Sequence, residues 1–154
     1  KMARLVLLGV FLGFVLIDLA FDLEVLAGRP DGAKHFYMDR NQHPFPSRVI
    51  LAAPLGLLML GTLLSMLKDR SGYNFGAIFF TFVSNGFGSF VIEQRSKMDT
   101  MSSEELEAAL VAIAWTHLIM IPLLITAIAL TWATNELLAA KDAAAAAEAS
   151  SKNK

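Results

Sequence analysis

The chain contains no cysteine, which excludes disulfides, thiolate metal sites, haem attachment through cysteine and cysteine nucleophiles. Charge is also scarce. Only 18% of the 154 residues are charged, the formal net charge is -1, and Lys and Arg nowhere form a run. Nothing therefore supports nucleic-acid binding or a strongly anionic partner. A P-loop, a dinucleotide fingerprint, a serine nucleophile elbow and a zincin motif are missing too, so no enzyme class is favoured and no cofactor is identifiable.

What the chain has is apolar length. Hydrophobic residues make up 55% of it and the mean hydropathy is +0.53, values that exclude an ordinary soluble domain and indicate an integral membrane protein. Four apolar stretches, Leu5–Leu26, Val49–Leu67, Tyr73–Ile92 and Ala108–Ala133, each approach the roughly 20 residues with which a helix crosses a bilayer core. The expected fold is all-α: an antiparallel four-helix membrane bundle over residues 1–142, then an Ala-rich solvated extension of the last helix over 143–154. An even number of spans puts both termini on one side. The loops Ala27–Arg48 and Glu93–Glu107 then share the other side, called here the loop side.

Lys1 and Arg4 before Leu5–Ile17 have the shape of a signal peptide, but Asp18-Leu19-Ala20-Phe21-Asp22 stands where a small-residue cleavage pattern belongs. The first stretch is expected to stay as a span. Basic residues flank both sides, so they set no orientation, and an organellar or a bacterial inner membrane suits such a multi-pass chain equally. Ser102-Ser103-Glu104-Glu105 opens the fourth span with an N-cap and first-turn acids. Trp115 and Trp132 lie about 25 Å apart along that helix, a spacing that suits two interfacial belts. Pro54 and Pro122 each remove one helical hydrogen bond and predict bends.

The candidate site is a set of polar residues inside these spans. Measured from span midpoints, Asp18, Asn85 and His117 fall within several Å of the bilayer centre, with Ser84 and Asp22 extending the trail toward the loop side. Glu24, Arg48, Glu93 and Arg95 mark its mouth. Carboxylates at such depth are costly and require partners, and an Asp–His–Asn cluster is the expected solution. It could fix helix register, relay protons or polarise a pocket for an amphipathic ligand; a metal on Asp18, Asp22 and His117 is the weaker alternative, because no tight ligand motif such as Glu-x-x-His lies within a span.

A second constellation lies in the first loop, where His35, Asp39 and His43 are spaced four apart and could share one helical face as weak metal ligands. Gly32 and Pro44 limit a helix there to about two turns, which leaves His43 doubtful as a member. No metal is favoured. The plainer expectation is an interfacial segment with Phe36, Tyr37, Met38 and Phe45 turned to lipid, or a lid over the bundle mouth.

Gly9 and Gly13 form a G-x-x-x-G pair, with Ala20 on the same stripe, and this face lies opposite Asp18 and Asp22. It invites another helix from a second copy or a different subunit. The third span is expected to turn Thr81, Ser84, Asn85 and Gly88 inward and Phe79, Phe82, Phe87 and Phe90 to lipid or to core packing. Together these features suggest an accessory or assembly subunit of a larger membrane complex, partnered by other membrane subunits or itself and by lipid. The alternative is a stand-alone protein that binds or converts a lipid, sterol or quinone-like molecule in a pocket polarised by Asp18, Asn85 and His117.

Overall fold

A computed structural model describes residues 2–42, 56–58, 60–62, 64 and 72–152. Helix α1 runs Met2–Leu26, α2 Asp31–Gln42, α3 Gly72–Lys97 and α4 Ser103–Lys152, with a 3-10 turn at Met98–Thr100. Helices α1, α3 and α4 are long and apolar enough to cross a membrane. The second apolar stretch, Val49–Leu67, lies mostly outside the described residues, Pro54 included. Its described residues between 56 and 64 are helical, and Leu58 is buried among side chains of α1 and α4.

Local chemistry sets the helix ends. Helix α1 closes with a Schellman motif: Arg29 N–H donates to the Glu24 carbonyl at 2.8 Å and Gly28 N–H to the Val25 carbonyl at 2.9 Å. Gly28 has φ +75°, a left-handed conformation that glycine adopts without a Cβ penalty. Pro30 follows, and its carbonyl receives the Lys34 N–H that starts α2. Helix α4 opens with a capping box. Glu105 N–H donates to Ser102 Oγ at 3.3 Å and Ser102 N–H donates to Glu105 Oε2 at 2.8 Å, as the Ser-x-x-Glu spacing predicts.

Helices α1 and α3 both pack along α4, and among the described residues their backbones stay apart. On the side away from the loops, Leu8, Phe11, Val15, Leu58, Met120, Leu124 and Ala127 form an apolar cluster. On the loop side a second cluster joins Val25, Ala33, Tyr37, Val91, Met98, Leu106, Leu110 and Ile113, and α2 lies across the end of the bundle mainly against α1, with a smaller contact to α3. Hydroxyls inside the helices are satisfied within their own helix: Thr81, Ser84, Thr116, Thr126, Thr131 and Thr134 each donate to the carbonyl four residues earlier. Helix α4 continues through Pro122 and past Glu136 to Lys152, so the boundary expected at 142/143 falls within one uninterrupted helix. Its last three turns are exposed.

Helix α2 corrects the sequence reading twice. It is a 12-residue helix rather than about two turns, because it starts at Asp31 and includes Gly32. Tyr37 is fully buried instead of facing lipid, and Phe36 stacks on Phe21 with ring centroids 3.9 Å apart. The lid alternative is the one that matches this geometry. Phe45 lies outside the described residues.

Candidate functional site

Each of the described helices contributes to one buried polar network. Helix α1 supplies Asp18 and Asp22, one helical turn apart and both buried, as their spacing predicts. Tyr37 of α2 donates from its hydroxyl to Asp22 Oδ1 at 2.7 Å. His117 of α4 sets Nδ1 2.6 Å from Asp22 Oδ2. Arg95 of α3 brings a guanidinium nitrogen 3.6 Å from Asp18 Oδ2, and its Cζ sits 4.9 Å from the centroid of the Tyr37 ring.

The electrostatics follow from these contacts. Two carboxyl groups share a buried site with one guanidinium and one imidazole, and the hydrogen bonds and opposite charge among them offset the cost of burying polar groups. The Nδ1–Oδ2 contact ties the His117 ring to Asp22, and His117 also borders a small cavity. That cavity, about 40 Å³, is lined by Asp18, Arg95 and His117 together with Phe11, Ile92 and Met120. Burial pushes the Tyr37 phenol above its ordinary range, the carboxylates of Asp18 and Asp22 and the hydrogen bond to Asp22 push the same way, and Arg95 opposes them. Tyr37 is therefore a fixed proton donor to Asp22.

The expected Asp18–Asn85–His117 cluster is rearranged. His117 meets Asp22 rather than Asp18, a shift of one helical turn, about 5.4 Å. The first turns of α4 are buried in the loop-side cluster through Leu106, Leu110 and Ile113, so the midpoint of its apolar run is not its depth in the bundle. Asn85 is buried, but among the described residues neither of its side-chain amide atoms has a hydrogen-bond partner. Ser84 is buried and bonded to the Phe80 carbonyl, outside the network. Glu24 is exposed; Glu93 pairs with Lys97 on the surface at 2.6 Å. Arg48 lies outside the described residues.

Arg95 and Tyr37 are the members that sequence reasoning placed elsewhere. A signal for Arg95 was present, because it continues the inward stripe Thr81, Ser84, Gly88, Val91 at helical spacing. Its side chain also projects back toward the N-terminus of its own helix, deeper than its Cα. No comparable signal marked Tyr37, whose role depends on how α2 folds back.

The loop constellation gains no metal geometry. His35 is exposed, the side chain of Asp39 is not described and His43 lies outside the described residues. Among the described residues no group of three or more His, Asp or Glu could hold a metal ion. Among the described residues the stripe on α1 faces outward: Gly9 and Ala20 are exposed, Gly13 is half-buried, and a Cβ added at either glycine would meet nothing within 4 Å. Comparison with protein-family models, with curated proteins and with solved structures returns no match.

Proposed function

We propose that this chain is a multi-pass membrane protein that serves as an accessory or assembly subunit, with Val49–Leu67 as the fourth crossing of an antiparallel bundle. The burial of Leu58 between α1 and α4 supports that crossing. The observation that carries the functional reading is the closure of the polar network. Asp22 engages both Tyr37 and His117, Asp18 engages Arg95, and the cavity beside them is about 40 Å³. Ligand pockets for molecules of sterol or quinone size measure about 300–1,000 Å³, so this volume weighs against the pocket reading and for a network that fixes helix register.

The opposite face of α1 supplies the contact surface. Gly9 and Gly13 leave a shallow outward groove, which a second helix fills better than branched lipid-facing side chains do. The test is purification of the full chain from its native membrane in mild detergent, as wild type and as Gly9→Ile/Gly13→Ile. The wild type is expected to travel with stoichiometric partner chains or a second copy, and the variant alone. A wild type that purifies alone with a stoichiometric hydrophobic ligand refutes the assembly role.

A further inference from the structure

We infer that the groove between the loop-side ends of α3 and α4 holds one phospholipid with a zwitterionic, ammonium-bearing headgroup. This rests on membrane insertion but not on the assembly role, so the two proposals fail separately. The groove measures about 530 Å³, within the size range of ligand sites, and lies open on the outer face of the bundle. Its rim is charged and its walls are apolar. Lys97 on α3 and Glu105 on α4 stand at the rim, and Phe90, Met101, Ala108 and Ala112 line it. Phe90 precedes Lys97 by two helical turns and Ala112 follows Glu105 by two, so in this antiparallel pair both walls descend about 10 Å from charge into hydrocarbon. That is the polarity profile of a lipid molecule. A partner helix would require no charged end.

Charge selects the headgroup. Lys97 donates to Glu93 at 2.6 Å, and an ammonium with three donors can still meet a phosphate oxygen. Glu105 commits Oε2 to the Ser102 N–H, which leaves its other oxygen for an ammonium group. Lys97, Glu93 and Glu105 together carry a net charge of about -1 at neutral pH, which disfavours an anionic headgroup and favours one with a cationic end. A primary ammonium donates hydrogen bonds to Glu105 where a quaternary one does not.

Native mass spectrometry of the full chain, released from detergent with added phosphatidylethanolamine, phosphatidylglycerol or diacylglycerol, tests the site. One phosphatidylethanolamine is expected to be retained, at least about tenfold more tightly than either other lipid, a ratio equivalent to about 1.4 kcal/mol. Glu105→Gln keeps the helix cap, because glutamine also serves at that position, and is expected to erase the preference. Ala108→Phe/Ala112→Phe fills the groove and should abolish retention with the melting temperature unchanged; if that variant fails to fold, Glu105→Gln still decides. Equal retention of all three lipids, an unchanged preference in Glu105→Gln, or a wild-type dimer that Ala108→Phe/Ala112→Phe separates would overturn the assignment.

Discussion

The two ends of the bundle are held by different physics. At the loop side, five polar side chains from four helices are tied by contacts of 2.6 to 3.6 Å and a cation–π stack. Toward the termini the helices meet mainly through Leu8, Phe11, Val15, Leu58, Met120, Leu124 and Ala127, with Arg4 donating to the Asn74 side-chain oxygen at 3.0 Å at the far end. Lipid tails are as apolar as leucine, so burying leucine inside a membrane bundle gains packing but little hydrophobic free energy. The apolar end therefore tolerates sliding, and the polar end sets which turn of one helix faces which turn of the next.

Breaking the polar end at Asp22 has the largest expected effect. Asp22→Leu removes the acceptor of both Tyr37 and His117, and loss of one partner from a buried charged cluster costs about 3–5 kcal/mol. Unfolding by denaturing detergent in mixed micelles measures it. Asp22→Leu/His117→Leu should recover much of the loss, since it removes the stranded imidazole as well. A single variant as stable as wild type would mean that the network does not set register.

The apolar end yields a smaller change. Leu124 is fully buried, and Leu124→Ala leaves a cavity whose cost in soluble cores begins near 2 kcal/mol. The low end of that range is expected here, because the transfer contribution shrinks when the alternative environment is lipid. If Leu124→Ala destabilises more than Asp22→Leu in the same assay, the contrast between the two ends is reversed.

Tyr37→Phe sharpens the comparison at the polar end by deleting one hydrogen bond and leaving the ring over which Arg95 sits. A hydrogen bond to a charged group contributes about 1.5 kcal/mol, which is the expected loss. The pH dependence has a definite sign. The folded protein holds the Tyr37 proton more firmly than the unfolded chain does, so this contribution is present below the ordinary tyrosine value, about 10, and is lost as pH rises above it. Wild type should lose stability through that alkaline window more steeply than Tyr37→Phe. Parallel stability profiles would show that the phenol is not held by Asp22.

The sequence made α1, α3 and α4 legible as helices long and apolar enough to cross a membrane, because hydrocarbon thickness sets the apolar length to look for. The capping box at Ser102 and the inward face of Thr81, Ser84, Asn85 and Gly88 were legible because helical spacing is local. The pairing of His117 with Asp22 was not. Depth along a helix was inferred from the centre of its apolar run, and the first apolar turns of α4 are buried in the loop-side cluster through Leu106, Leu110 and Ile113. Tyr37 was hidden for a related reason: an aromatic in a loop reads as an interfacial anchor until the Schellman turn at Gly28 sends α2 back over the bundle.

Asn85 gives the smallest and most discriminating test, because it is a buried polar residue that the network does not reach. Burial of Asp22 is offset by two bonds, whereas neither amide atom of Asn85 has a partner among the described residues. An unsatisfied buried amide is unfavourable, and its replacement by an apolar group of similar shape is neutral or stabilising. Asn85→Leu is therefore expected to leave unfolding unchanged or to raise stability by up to about 1 kcal/mol, the opposite sign from Asp22→Leu at a neighbouring depth. If stability is retained while co-purification with partner chains is lost, the amide serves the assembled state. A loss above about 1 kcal/mol in the isolated chain would show instead that Asn85 is bonded in the membrane, and that the polar end extends one more helical turn toward the bilayer centre.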